Sequence, residues 1–159
     1  MTTIAYTKGE LAFDSRVTAG LDIVGGAIKG KRLKSGILVA YCGNLAQGQL
    51  FMRWADGGFI NDDAKRSLET LKEPEFTAII ILPDGSIRVY DDSLLPIVYT
   101  SKMYSWGSGG PFAMGAMVHG ASAADAVRVA KICDAATGGR VRVLRLEEQC
   151  KTKKRTKRS

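Results

Sequence analysis

The run FTAIIILPDGSIRVYDD (76–92) leaves the chain little freedom. Two β-rich stretches flank Pro83, Asp84 and Gly85, residue types that a tight turn selects, so the segment predicts a hairpin. A second unbroken apolar run, GILVAYC (36–42), reads as a strand buried on both faces. It stops at Gly43 and Asn44. The spacing of Leu45, Leu50, Phe51 and Trp54 then predicts a helix directly behind it.

The remaining elements fall on either side of this centre. Residues 3–6 and 11–14 read as short strands about a turn at Lys8 and Gly9. The polar stretch 56–76 reads as a loop with one short helix. A strand through MYSW leads into GSGGPFAMGAMVHG, where Pro111 suits the first turn of a helix and Gly120 its end. Ser122, with Asp125 three residues on, forms a capping arrangement for the next helix. That helix places Ala123, Val127, Ala130 and Asp134 on one stripe, so an acid closes an apolar face. VRVLRL (141–146) alternates like a last strand. Helices segregated from hairpins predict α+β layers rather than a doubly wound parallel sheet. The reading is one domain over residues 1–148, followed by a basic and disordered tail at 149–159.

Charge supports that division. The 159 residues carry 23 Lys and Arg against 16 Asp and Glu, a net +7. Six of those cations sit in KTKKRTKRS without an acid, leaving 17 against 16 elsewhere. A basic signal confined to an appendage argues against a folded nucleic-acid surface, and contact through the tail is not the expected function. No stretch approaches the ~20 apolar residues of a membrane span, and no basic-then-apolar leader is read at the start. Cys42, Cys133 and Cys150 are an odd set without metal spacing, which fits a reduced chain. A cytoplasmic location and no membrane partner are the expectations.

Several chemistries are excluded early. His119 is the single histidine and falls late in a predicted helix, where a histidine commonly meets terminal carbonyls. HExxH, CxxC and GxxxxGK[ST] are absent from the sequence, which leaves zinc proteases and P-loop enzymes without support. A hydrolase without a histidine base needs another one. The opening MTTIAY suggests it: removal of Met1 exposes Thr2, whose own α-amine, with an ordinary pKa of roughly 8, can take the hydroxyl proton. Such a nucleophile needs a nearby cation, an acid to hold that cation, and donors for an oxyanion.

Five collinear segments carry a resemblance to a known family: TTIAY, FDSRVTAG, IKGKRL, YCGNLA with GSGGPFAMGA, and DAATGG. Together they resemble a proteasome-type β subunit, most closely the bacterial HslV-like peptidases of the N-terminal-nucleophile hydrolase superfamily. The resemblance implies a four-layer αββα sandwich and threonine-type endopeptidase activity through an ester on Thr2. By position, Thr2 matches the nucleophile and Asp14 the buried acid that pairs with the catalytic lysine. The family pattern selects Lys29 for that lysine, with Lys31 as the runner-up. Gly43 matches the oxyanion-hole glycine, Ser108 the serine that supports the terminal amine, and Asp134 with Thr137 the acid and hydroxyl completing that network. Asn44 stands where a second glycine is often found. Thr3 enters only as a strand residue, and Thr3→Ala is expected to stay active unless removal of Met1 fails.

The same resemblance implies a substrate pocket walled by Val17, Ala27, Lys31, Tyr41 and Leu45. Tyr41 would make it shallow, and Lys31 would bring positive charge to its mouth, favouring cleavage after small aliphatic or acidic residues over basic ones. No cofactor is required and no metal ligand is assigned. The family's structural Na⁺ site, built from carbonyls around Lys131, Asp134 and Thr137, is left open. Implied partners are further copies of the chain in stacked hexameric or heptameric rings, an AAA-type ATPase unfoldase, and unfolded protein or peptide substrates. Two readings compete: a catalytically silent ring subunit, and a module that contacts nucleic acid through the tail.

Overall fold

The computed structural model describes residues 1–60, 62–71 and 76–147, so the tail at 149–159 and Cys150 lie outside the described residues. Two antiparallel sheets lie face to face. The first has the order β10-β1-β2-β11, built from β1 (Thr3–Thr7), β2 (Glu10–Phe13), β10 (Met103–Gly107) and β11 (Arg142–Arg145). The second has the order β5-β6-β7-β8-β9, built from β5 (Gly30–Arg32), β6 (Leu38–Cys42), β7 (Thr77–Ile81), β8 (Ile87–Tyr90) and β9 (Ile97–Tyr99). Helices α3 (Gly110–Val118) and α4 (Ala123–Cys133) cover the first sheet. Helix α1 (Leu45–Asp56) covers the second and packs against α2 (Asp62–Leu71). The result is the expected αββα order of layers.

Strand periodicity explains why the central runs are apolar without a break. Leu38, Ala40 and Cys42 of β6 face the other sheet with Ile79 and Ile81 of β7, while Val39, Tyr41, Ala78 and Ile80 face α1. A residue buried on either face must be apolar, so the alternation disappears. In β1, Ile4 and Tyr6 enter the inter-sheet core, and Ala5 points at α4. Small side chains at Ala5, Ala12, Ala123, Ala126 and Ala130 let that helix approach the sheet closely.

Among the described residues, the hairpin, the flanking strands and the four helices lie where the sequence predicts them. Ser122 accepts from the Asp125 N–H as N-cap, and Pro111 stands in the first turn of α3. His119 ends α3 through its backbone, its N–H donating to Gly115 O. Two features were not anticipated. β3 (Arg16–Ala19) and β4 (Asp22–Gly26) form a separate two-stranded ribbon, and β9 adds an edge strand. The ribbon leaves Leu21, Ile23 and Val24 exposed, so it lacks the one-sided apolar alternation by which a strand is recognised. Among the described residues, no helix is long and apolar enough to cross a membrane.

Candidate active site

Thr2 lies at the start of the central strand β1 and is almost fully buried, at 3% exposure, whereas Met1 is 65% exposed. β10 passes beside it. Gly107, with φ 87°, ends that strand, and a Cβ there would collide with the Thr2 carbonyl. A glycine is therefore required for the two chains to approach.

Asp14 follows β2 and is wholly buried. One carboxylate oxygen accepts from Lys29 Nζ at 3.1 Å and from the Thr3 N–H at 3.0 Å. The other accepts from the Gly138 N–H at 2.9 Å and the Arg16 N–H at 3.2 Å. Four donors offset the cost of burying a charge.

The structure separates the two candidate lysines. Lys29 is 3% exposed, and its three ammonium protons meet Asp14 Oδ1 at 3.1 Å, Met1 O at 3.1 Å and Arg16 O at 2.6 Å. Burial lowers its pKa below the ordinary lysine value, and the charge of Asp14 opposes that shift. Lys31 lies two residues further along β5, is one-third exposed, and pairs with Asp56 at the end of α1. Lys29 alone reaches the residue that precedes Thr2.

A second carboxylate completes the cluster from the other side. Asp134 caps α4 and accepts from Ser108 Oγ at 2.7 Å, Thr137 Oγ1 at 2.5 Å and the Ala136 N–H at 3.2 Å. Burial raises its pKa, but these hydrogen bonds outweigh burial and hold the carboxyl below its usual value. The positive N-terminus of the chain also favours the ionised form. Gly43, with φ 92°, bends the chain between β6 and α1, and Asn44 caps α1 by accepting from the Gln47 N–H at 3.0 Å. Two structural links escaped sequence reasoning: the Gly138 N–H on Asp14, and the hydroxyl of Thr3, 2.5 Å from Thr137 Oγ1. The GG of DAATGG was the one available signal for the first.

The residues assigned to a substrate pocket are less unified. The Tyr41 ring lies over Gly48, where a Cβ would enter it, and its hydroxyl accepts from Gln49 Nε2 at 3.1 Å. Val17 and Ala27 are half-buried, and Leu45 is exposed at the first turn of α1. Asp56, the partner of Lys31, ends the same helix, about 16 Å from Leu45 at 1.5 Å per residue. Lys31 thus pairs with an exposed acid at the end of α1 opposite Leu45. In the loop considered for Na⁺, Lys131 Nζ already donates to Gly139 O at 2.7 Å, and Asp134 O accepts from the Thr137 N–H.

No protein-family model matches the chain, and no curated protein matches it. Solved structures do. Eukaryotic HslV from Trypanosoma brucei is 21% identical with a TM-score of 0.67, over 93% of this chain and 100% of that one. This chain has an HslV-like fold. Thiobacillus denitrificans BPH in complex with epoxomicin is 20% identical with a TM-score of 0.65, over 92% of this chain and 99% of that one. BPH in a second structure is 22% identical with a TM-score of 0.63, over 92% and 98%. This HslV-like fold, shared with proteasome β subunits, brings Thr2, Asp14, Lys29, Ser108, Asp134 and Thr137 to one end of β1.

Proposed function

We propose that this protein is a threonine-type endopeptidase whose nucleophile is Thr2, exposed by removal of Met1. The observation that carries the proposal is Lys29: a buried ammonium, held by Asp14, donating to the carbonyl on the Thr2 nitrogen. Loss of Met1 frees one of its three protons beside the new terminus. The other two stay on Asp14 and the Arg16 carbonyl, which hold the ammonium in place.

In the reaction, the Thr2 α-amine takes the hydroxyl proton as Oγ attacks the substrate carbonyl. The Lys29 ammonium favours the alkoxide, and the Gly43 N–H donates to the oxyanion. The amine's proton passes to the leaving nitrogen, the C–N bond breaks, and an ester on Thr2 remains. Water, deprotonated by the same amine, attacks the ester and restores Oγ–H. Asp134, Ser108 and Thr137 orient the amine. Tyr41, packed on Gly48, leaves a shallow pocket, so cleavage follows small aliphatic residues. The copies assemble as stacked rings in the cytoplasm, and an AAA-type unfoldase supplies unfolded chains. Confinement suits a peptidase of low selectivity.

Epoxomicin, bound by the HslV-like BPH, is the direct probe. Incubation followed by peptide mapping is expected to find the adduct on Thr2, and Thr2→Ala is expected to fold yet lose both adduct and peptidase activity. Turnover by homogeneous Thr2→Ala would refute the mechanism.

A further inference from the structure

Thr3 carries two bonds that its place in a strand does not require. Its N–H donates to Asp14 Oδ1, the same oxygen that holds Lys29. Its hydroxyl lies 2.5 Å from Thr137 Oγ1, whose hydroxyl in turn lies 2.5 Å from Asp134 Oδ2. Proton counting fixes the direction. A carboxylate only accepts, so Thr137 gives its single hydroxyl proton to Asp134. The proton between the two threonines must then come from Thr3. Hydroxyls therefore run Thr3 to Thr137 to Asp134, with Ser108 donating to the same carboxylate oxygen at 2.7 Å.

The space for this relay is made by Gly109. A Cβ there would collide with Thr3 Oγ1 and come within 2.7 Å of Thr137 Oγ1. Thr3 is wholly buried, and its β1 neighbours pair with β10 on one side and β2 on the other. We propose that Thr3 is a positioning residue for the reaction proposed above, joining the Asp14–Lys29 pair to the Thr137–Asp134–Ser108 network and fixing Thr2 between them. The inference rests on that functional reading. It also revises the expectation that Thr3→Ala stays active.

Thr3→Val and Thr3→Ser separate the hydroxyl from the strand. Valine keeps the branched shape and strand preference but puts a methyl where Thr137 needs a donor. With Met1 removal verified by mass, Thr3→Val is expected to lower kcat on the order of tenfold while KM stays within about twofold, the scale of one lost buried hydrogen bond. The acidic limb of its kcat/KM profile should move to lower pH, because a displaced Asp134 favours the protonated α-amine less. Thr3→Ser should restore both kcat and the limb. A Thr3→Val enzyme with wild-type kcat and pH profile, alongside wild type labelled by epoxomicin at Thr2, overturns the role of Thr3 alone. A loss in Thr3→Val that serine fails to restore also overturns it. Failure of wild type to label at Thr2 instead overturns the functional reading on which the inference stands.

Discussion

Lys29 directly precedes β5 and Lys31 lies within it, yet their surroundings differ completely. Lys29 neutralises a carboxylate that is wholly buried, and removing it strands that charge. Lys29→Ala is therefore expected to cost about 3 kcal/mol in urea unfolding and to lower peptidase turnover about a hundredfold or more. Lys31 answers an exposed acid, so Lys31→Ala should cost less than about 1 kcal/mol. It should also leave the preferred residue before the cut unchanged in a fluorogenic peptide panel. A larger loss from Lys31→Ala than from Lys29→Ala would reverse the assignment of the catalytic lysine. Both lysines were legible as candidates in IKGKRL; choosing between them by contact needed the positions of Asp14 and Asp56, 15 residues before Lys29 and 25 after Lys31.

At the scale of an element, β1 controls when Thr2 becomes available. The strand is hydrogen-bonded on both edges, Thr3 N–H is held by Asp14, and the Met1 carbonyl is held by Lys29. An aminopeptidase must draw an extended terminus into its own cleft, and this one is fastened from Met1 onward. Removal of Met1 is thus expected before β1 closes between β2 and β10. Protein produced with methionine aminopeptidase inhibited, then folded, should keep Met1 when the peptidase is added to the native state. The same protein should lose it when treated during refolding from urea, as read by intact mass. Equal loss from both states would show that the terminus frees itself from the sheet. The ribbon β3–β4 follows a different rule, with few buried contacts of its own, and its exposed Leu21, Ile23 and Val24 concealed it from pattern reading.

On the scale of the molecule, the two sheets put the Thr2 end of β1 at one edge of the inter-sheet core. The proposed activity gains safety from enclosure, and a 17.1 kDa chain cannot enclose a polypeptide by itself. Sedimentation of the processed protein is accordingly expected to give a closed assembly of 12 or 14 copies, about two stacked rings of six or seven. Peptidase activity should follow that species through the gradient. Active monomers would remove the case for a chamber.

The apolar runs at 36–42 and 76–92, the Ser122 cap and the Pro111 helix start were all determined locally, because each depends on a few neighbouring side chains and backbone angles. The segregation of helices from hairpins implied α+β layers, but the αββα order came through the resemblance, since a strand buried on both faces can equally lie between two layers of helices. Apart from Thr2, the site residues were legible only through resemblance to a family; the chemistry of an N-terminal threonine called for a cation and an acid without saying which. Tertiary structure decided the joining. Asp14 meets Gly138 across 124 positions, and Thr3 meets Thr137 across 134. No local pattern encodes such a distance, because those contacts exist only after two sheets and a helix cap have closed around the first strand.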